Sequence, residues 1–170
     1  EAIETLLDNP PADRELLAEM LTLPSEAMLG EQFDAVDIFA IDAARRELKE
    51  AIATRFATRF QALADTHAAS SAYIFDVAEA GRRRVFAVAL DYLATIEAPG
   101  LAARAAAVYD RADNMTDRMA ALDALRDLNV PERQRVLDDF AQTWADYPLV
   151  MDKWLRLQAT MRRDDSVERV

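Results

Sequence analysis

Residues Ile38 to Ala68 read IFAIDAARRELKEAIATRFATRFQALADTHA, a run without proline or glycine. Within it Ile41, Ala44, Leu48, Ile52, Phe56, Phe60 and Leu63 recur at steps of three and four, the period of one helix face. Arg45, Glu47, Lys49, Arg55, Arg59 and Asp65 fall opposite and read as a solvated face. The spacing predicts one long helix over about 38–68, capped by Asp34 or Asp37.

The same grammar extends in both directions. The six prolines, at 10, 11, 24, 99, 131 and 148, all fall between apolar-periodic stretches. Upstream, a helix is expected over about 13–22, with Leu16, Leu17, Met20 and Leu21 inward. After Pro24, Ser25 caps a short turn that stops at Gly30. Downstream, Ser70 and Ser71 interrupt the pattern before a second long helix over about 75–97. Its inward side is Ile74, Val77, Val85, Val88, Ala89, Tyr92 and Ile96, and Gly81 marks close packing or a bend. Pro99-Gly100 precedes Leu101, Ala105, Val108 and Tyr109. Asn114 or Thr116 opens the next helix, and Pro131 stands where a first helical residue tolerates proline. Trp144 and Trp154 lie on apolar stripes and read as core. The charged tail 163–170 is expected to fray.

Roughly seven helices result, and no stretch alternates with a period of two. Composition agrees: 3 Gly and 6 Pro stand against about one alanine in five, the strongest helix former. Residues 1–170 are therefore expected to form a single all-α domain. Periodicity leaves two architectures open: a closed bundle, or antiparallel helix pairs in an irregular HEAT- or armadillo-like solenoid.

Acidic residues outnumber basic ones 31 to 20, for a net charge of −11. Nucleic acid and anionic membrane surfaces are excluded as partners, because both demand clustered Lys and Arg. No apolar run approaches the ~20 residues of a membrane span. The chain has no cysteine, which removes disulfides and thiolate chemistry and fits a reducing, cytoplasmic setting.

Catalytic patterns are missing. His67 is the only histidine, and Asp65 beside it lies on another helical face, so it reads as an ordinary helix-end residue. Ser25, Ser70 and Ser71 sit in turns without a nucleophile elbow. Three isolated glycines cannot form a phosphate loop. Arg82-Arg83-Arg84 spans most of a helical turn and reads as a solvated flank, and Asp138 and Asp139 read as helix surface. No catalytic, cofactor-binding or metal-ligating residue is assigned.

Three stretches are more specific than composition. Leu21-Thr22-Leu23-Pro24-Ser25-Glu26 is followed by Phe33-Asp34-Ala35-Val36-Asp37. Next comes Asp113-Asn114-Met115-Thr116-Asp117-Arg118-Met119-Ala120-Ala121-Leu122, and then Leu149-Val150-Met151-Asp152-Lys153-Trp154-Leu155-Arg156-Leu157-Gln158-Ala159-Thr160. In this order and at these separations, over about 15–162, they resemble the C-terminal helical domain of bacterial aminopeptidase N, within the M1 zinc metallopeptidases. The resemblance implies a superhelical stack that closes a chamber over a preceding catalytic domain and limits which peptides enter. In that family zinc is held by His-Glu-x-x-His and a downstream glutamate, and Gly-x-Met-Glu-Asn binds the substrate amine. Neither motif is present, so zinc and catalysis are expected in a preceding part of a parent enzyme. A first residue of Glu1 rather than Met fits a piece of a longer chain. The competing expectation is a free-standing helical scaffold that binds a peptide or protein partner.

Overall fold

The computed structural model describes residues 1–69 and 71–162, so the expected fraying of 163–170 lies outside the described residues, as does Ser70. Every regular element among the described residues is a helix, which bears out the all-α stack. In chain order they are α1 (Ala2–Asp8), α2 (Arg14–Leu21), α3 (Glu26–Gly30), α4 (Ile38–Arg55), α5 (Ala57–Thr66), α6 (Val77–Thr95), α7 (Leu101–Arg111), α8 (Met115–Leu125), α9 (Pro131–Trp144) and α10 (Pro148–Ala159). The described residues form ten helices where the sequence predicts roughly seven. The N-terminal apolar run forms α1, the turn after Ser25 is helical, and the long 38–68 run breaks at Phe56.

Side-chain caps set half of the starts. Asp13, Asp37 and Asp76 each accept two backbone N–H groups of the first turn, and Ser25 Oγ accepts from Met28 at 3.2 Å. Pro131 and Pro148 open α9 and α10 at a position where no intrahelical N–H is needed. α6 ends on Glu97 at φ +46°, with Ala98 N–H bonded to the Leu93 carbonyl at 3.0 Å and Glu97 N–H to Ala94 at 3.1 Å. This six-to-one and five-to-two pair stops a helix and turns the chain, here without the usual glycine. Gly100, at φ +79°, completes the turn into α7.

That turn separates two compact units, Glu1–Ala98 and a second beginning at Pro99. In the first, α6 is the central element. α2 runs parallel to it: Gly81 lies against Arg14, Arg84 pairs with Glu15 and Glu19, and Tyr92 Oη donates to the Leu21 carbonyl at 2.8 Å. α5 runs antiparallel, since Arg82 reaches the His67 carbonyl while Phe60 stacks on Tyr92 with ring centroids 4.2 Å apart. Leu17, Ala18, Leu21 and Val85 form a buried cluster on which Ile3, Leu6 and Leu7 of α1 pack. Arg55 with Glu4 and Arg59 with Asp8 tie α1 to the α4–α5 junction.

The break at Phe56 corrects the reading of the long run. Phe56 leaves helical geometry (φ −114°, ψ 19°) and is buried, with the Arg55 guanidinium 5.3 Å from its ring centre. Beyond it Phe60 is fully buried as expected, and Ala64, outside the expected stripe, is fully buried too. Before it the stripe is displaced. Leu48 is 53 % exposed and Ala44 is exposed, whereas Arg45 and Lys49, expected in solvent, face inward. Arg45 Nε donates to the Pro24 carbonyl at 2.8 Å, and Lys49 Nζ pairs with Asp91 at 2.8 Å, 6.0 Å from the Tyr92 ring centre. Long basic side chains lay their methylene stems along apolar surface and keep the charged head polar, so the inward face of α4 carries cations. Leu16, Met20, Ile74 and Val77, expected inward, are likewise exposed.

Burial and the neighbouring Asp91 carboxylate push the Tyr92 phenol up to about 12. An unfolded tyrosine titrates near ~10, so the folded state holds this proton longer and gains stability that is fully present below that pH. The gain is lost as pH rises from about 10 through the folded value. Urea midpoints measured between pH 9 and 12 should therefore fall more steeply in the parent than in Tyr92→Phe. Parallel curves would remove Tyr92 as a source of alkaline instability.

In the second unit α7 and α8 pack antiparallel across a three-residue link, Ala112 to Asn114, and α9 lies against both. Tyr109 Oη donates to Asp139 at 2.8 Å, and Arg135 makes a two-pronged bond to Asp110 at 2.9 and 3.0 Å. α10 is anchored by Trp154, whose Nε1–H donates to the Leu137 carbonyl at 3.0 Å.

Candidate functional site

The residues singled out for chemistry do not converge. His67 is buried at the end of α5, and its Nδ1–H donates to the Leu63 carbonyl at 2.9 Å, while Asp65 accepts from Gln61 at 3.2 Å. Among the described residues no three His, Cys, Asp or Glu side chains come together as a metal site. These residues do not fit a zinc centre: one imidazole, committed to a carbonyl, cannot supply the two that such a site uses. Ser25 serves as a helix cap and Ser71 is exposed.

The Arg82–Arg84 run diverges, as its span requires. Arg82 pairs with Glu79 at 2.7 Å, and Arg84 with Glu15 and Glu19. Arg83 corrects the solvated-flank reading, because it is 6 % exposed with its guanidinium 5.0 Å from the Tyr73 ring centre. Asp138 and Asp139 are exposed, one holding Gln134 at 2.6 Å and the other Tyr109. Burial first, then the bond to Asp139, raises the Tyr109 phenol well above its ordinary value.

The two specific motifs in this unit have structural roles. Asn114 caps α8: its Oδ1 accepts from Asp117 N–H at 2.9 Å, and its Nδ2 donates to Asp117 Oδ2 at 2.9 Å. Asp117 is buried, and this reciprocal bond supplies a donor to one oxygen of a carboxylate removed from water. Beside it Arg118 donates to the Ala112 carbonyl at 2.7 Å, its guanidinium 5.4 Å from the Tyr109 ring centre and 5.9 Å from that of Trp144. Trp144 and Trp154 are half-buried rather than core. Sequence reasoning missed Arg118 and the buried Arg133, since a lone arginine beside a motif carries no periodic signal.

One concave surface is apolar. Between α3 and α4 lies a cleft of about 560 Å³, lined by Gly30, Val36, Ile38 and Ile41 with Glu26 and Glu31 at its edge. Gly30 is buried, and a Cβ there would touch Val36 at 3.4 Å. Phe33, between α3 and α4, and Phe39, in the first turn of α4, are exposed.

Stacked helices without a sheet, a cap motif and an apolar cleft define a helical-repeat module. The profile of a family described as a domain of unknown function (DUF3458_C) with ARM repeats matches residues 1–170, and the chain belongs to that family. Aminopeptidase N of Escherichia coli K12 is 32% identical over 170 residues, all of this chain and 19% of its own length. The Haemophilus influenzae aminopeptidase N is 34% identical over 166 residues, 98% of this chain and 19% of its own length. A crystal structure of Legionella pneumophila aminopeptidase A in complex with aspartic acid superposes with TM-score 0.82 at 27% identity, covering 98% of this chain and 21% of that one. The chain thus spans about a fifth of the relatives it matches, and the resemblance read from its motifs holds along its whole length. Among the described residues no helix is long and apolar enough to cross a membrane.

Proposed function

We propose that residues 1–170 are one non-catalytic helical segment of a cytoplasmic, zinc-dependent aminopeptidase that removes N-terminal residues from peptides. In this reading the segment helps close a chamber over a catalytic domain of the same polypeptide and limits substrate access. The observation that carries it is the match to aminopeptidase N over all of this chain and 19% of the relative. Support also comes from the functions of the specific motifs, which cap and anchor helices instead of presenting reactive groups. Zinc, held elsewhere in the polypeptide, would supply a Lewis acid and an activated water.

The test is to express the complete polypeptide of the gene beside residues 1–170. Hydrolysis of aminoacyl anilides with stoichiometric zinc is expected in the former and neither in the latter. Zinc-dependent cleavage by residues 1–170 alone would overturn the assignment, and so would a complete polypeptide without peptidase activity.

A further inference from the structure

The displaced stripe of α4 leaves an apolar face without a partner among the described residues. Ile38 is 65 % exposed and Leu48 53 %, and this face runs through Ile41 into the α3–α4 cleft. Burying such side chains is favourable, so a contiguous set marks a contact surface.

Charge says what kind. From Glu15 to Ala44 the chain holds seven carboxylates and no Lys or Arg. Glu15 and Glu19 pair with Arg84, Asp42 with Arg46, and Asp37 caps α4. Glu31 lines the cleft and Asp34 follows three residues later, and neither has a cation within 4.0 Å among the described residues. A second copy docking here through the same patch would set carboxylates against carboxylates, and an anionic membrane would be repelled. The complementary occupant is a polypeptide segment with an apolar side chain and an adjacent Lys or Arg.

We infer that the α3–α4 cleft is the docking groove for a segment of the same polypeptide outside residues 1–170. It inserts an apolar side chain between Gly30, Val36, Ile38 and Ile41 and sets a basic side chain against Glu31 and Asp34. This rests on the proposed function, in which the chain is about a fifth of a longer polypeptide. Tethering favours that source over a free peptide, since a linked segment is present at an effective concentration on the order of millimolar.

The experiment is hydrogen exchange by mass spectrometry on the complete polypeptide, comparing parent, Ile38→Asp and Asp34→Lys. Position 38 is the first residue of α4, where a carboxylate suits the helix, so the first variant spoils the groove without unwinding the helix. Both substitutions should accelerate exchange at least about tenfold in one common segment outside 1–170 that contains Lys or Arg. Changes confined to residues 26–48, a responding segment without a basic residue, or dissociation of a dimer instead would overturn the proposal. Aminoacyl anilide hydrolysis by the parent separates the two readings. An active peptidase with no responding segment sinks the groove alone, and an inactive polypeptide with one sinks the peptidase assignment alone.

Discussion

Phe60→Ala is expected to cost the N-terminal unit about 4 kcal/mol, within the ~3–5 kcal/mol of emptied aromatic sites. Phe60 is 0 % exposed, and its ring stacks on Tyr92 at 4.2 Å and 13°, so truncation removes the contact between α5 and the central α6. Two effects add. The lost area and the residual cavity make up most of the cost, and the aromatic pair contributes ~0.5–1.5 kcal/mol beyond area. The second effect spreads, because Tyr92 also holds the Leu21 carbonyl and lies beside Lys49. Phe60→Leu, which keeps part of the apolar volume but loses the aromatic pair, should cost less than Phe60→Ala. Urea unfolding followed by far-ultraviolet circular dichroism measures both. Trp144 and Trp154 both lie beyond Pro99, so tryptophan fluorescence reports the second unit separately. A cost for Phe60→Ala below about 1.5 kcal/mol would show that Tyr92 does not depend on this ring.

The helices were legible wherever caps, prolines and an aliphatic stripe agreed. For α6, Val85, Ala89 and Tyr92 face inward as their spacing implies, and Pro131 opens α9 where expected. α4 was not legible in the same way. Its spacing offers two faces: aliphatic Ile41, Ala44 and Leu48, or mixed Arg45, Lys49, Ala53 and Phe56. A period identifies a face but not the neighbour it meets, and here Asp91 and the Pro24 carbonyl draw the cations inward. The break at Phe56 carries no proline or glycine to announce it. The same limit hid the candidate groove, because an apolar stripe reads as core until its facing surface is known. The motifs did indicate kinship, and their roles follow from local chemistry: Asn114 caps α8, and Trp154 reaches the Leu137 carbonyl.

Gly81→Val is the second large effect expected, about 3 kcal/mol, at the top of the ~1–3 kcal/mol range for overpacking. A Cβ at Gly81 would stand 3.0 Å from Arg14 Cβ and 3.0 Å from the Glu15 backbone nitrogen. That nitrogen cannot give way as a side-chain tip would, because it is bonded at 2.8 Å to the Asp13 carboxylate that caps α2. Two further methyl groups therefore push the first turn of α2 off α6. The displacement pulls Leu17 and Leu21 away from Val85 and stretches the bond from Tyr92 to the Leu21 carbonyl. Gly81→Ala separates the two terms. It sets ~1 kcal/mol of helix propensity against the two 3.0 Å contacts of the Cβ without the added methyl groups, so it should cost clearly less than Gly81→Val. The consequence reaches the groove, because α2 leads to Pro24, whose carbonyl holds Arg45, and to Ser25, which caps α3. In the complete polypeptide Gly81→Val should thus speed hydrogen exchange in α2 and in residues 26–41 together. If exchange rises in α2 alone, the Pro24–Arg45 bond does not transmit the shift, and the groove is held by α4 independently of α2.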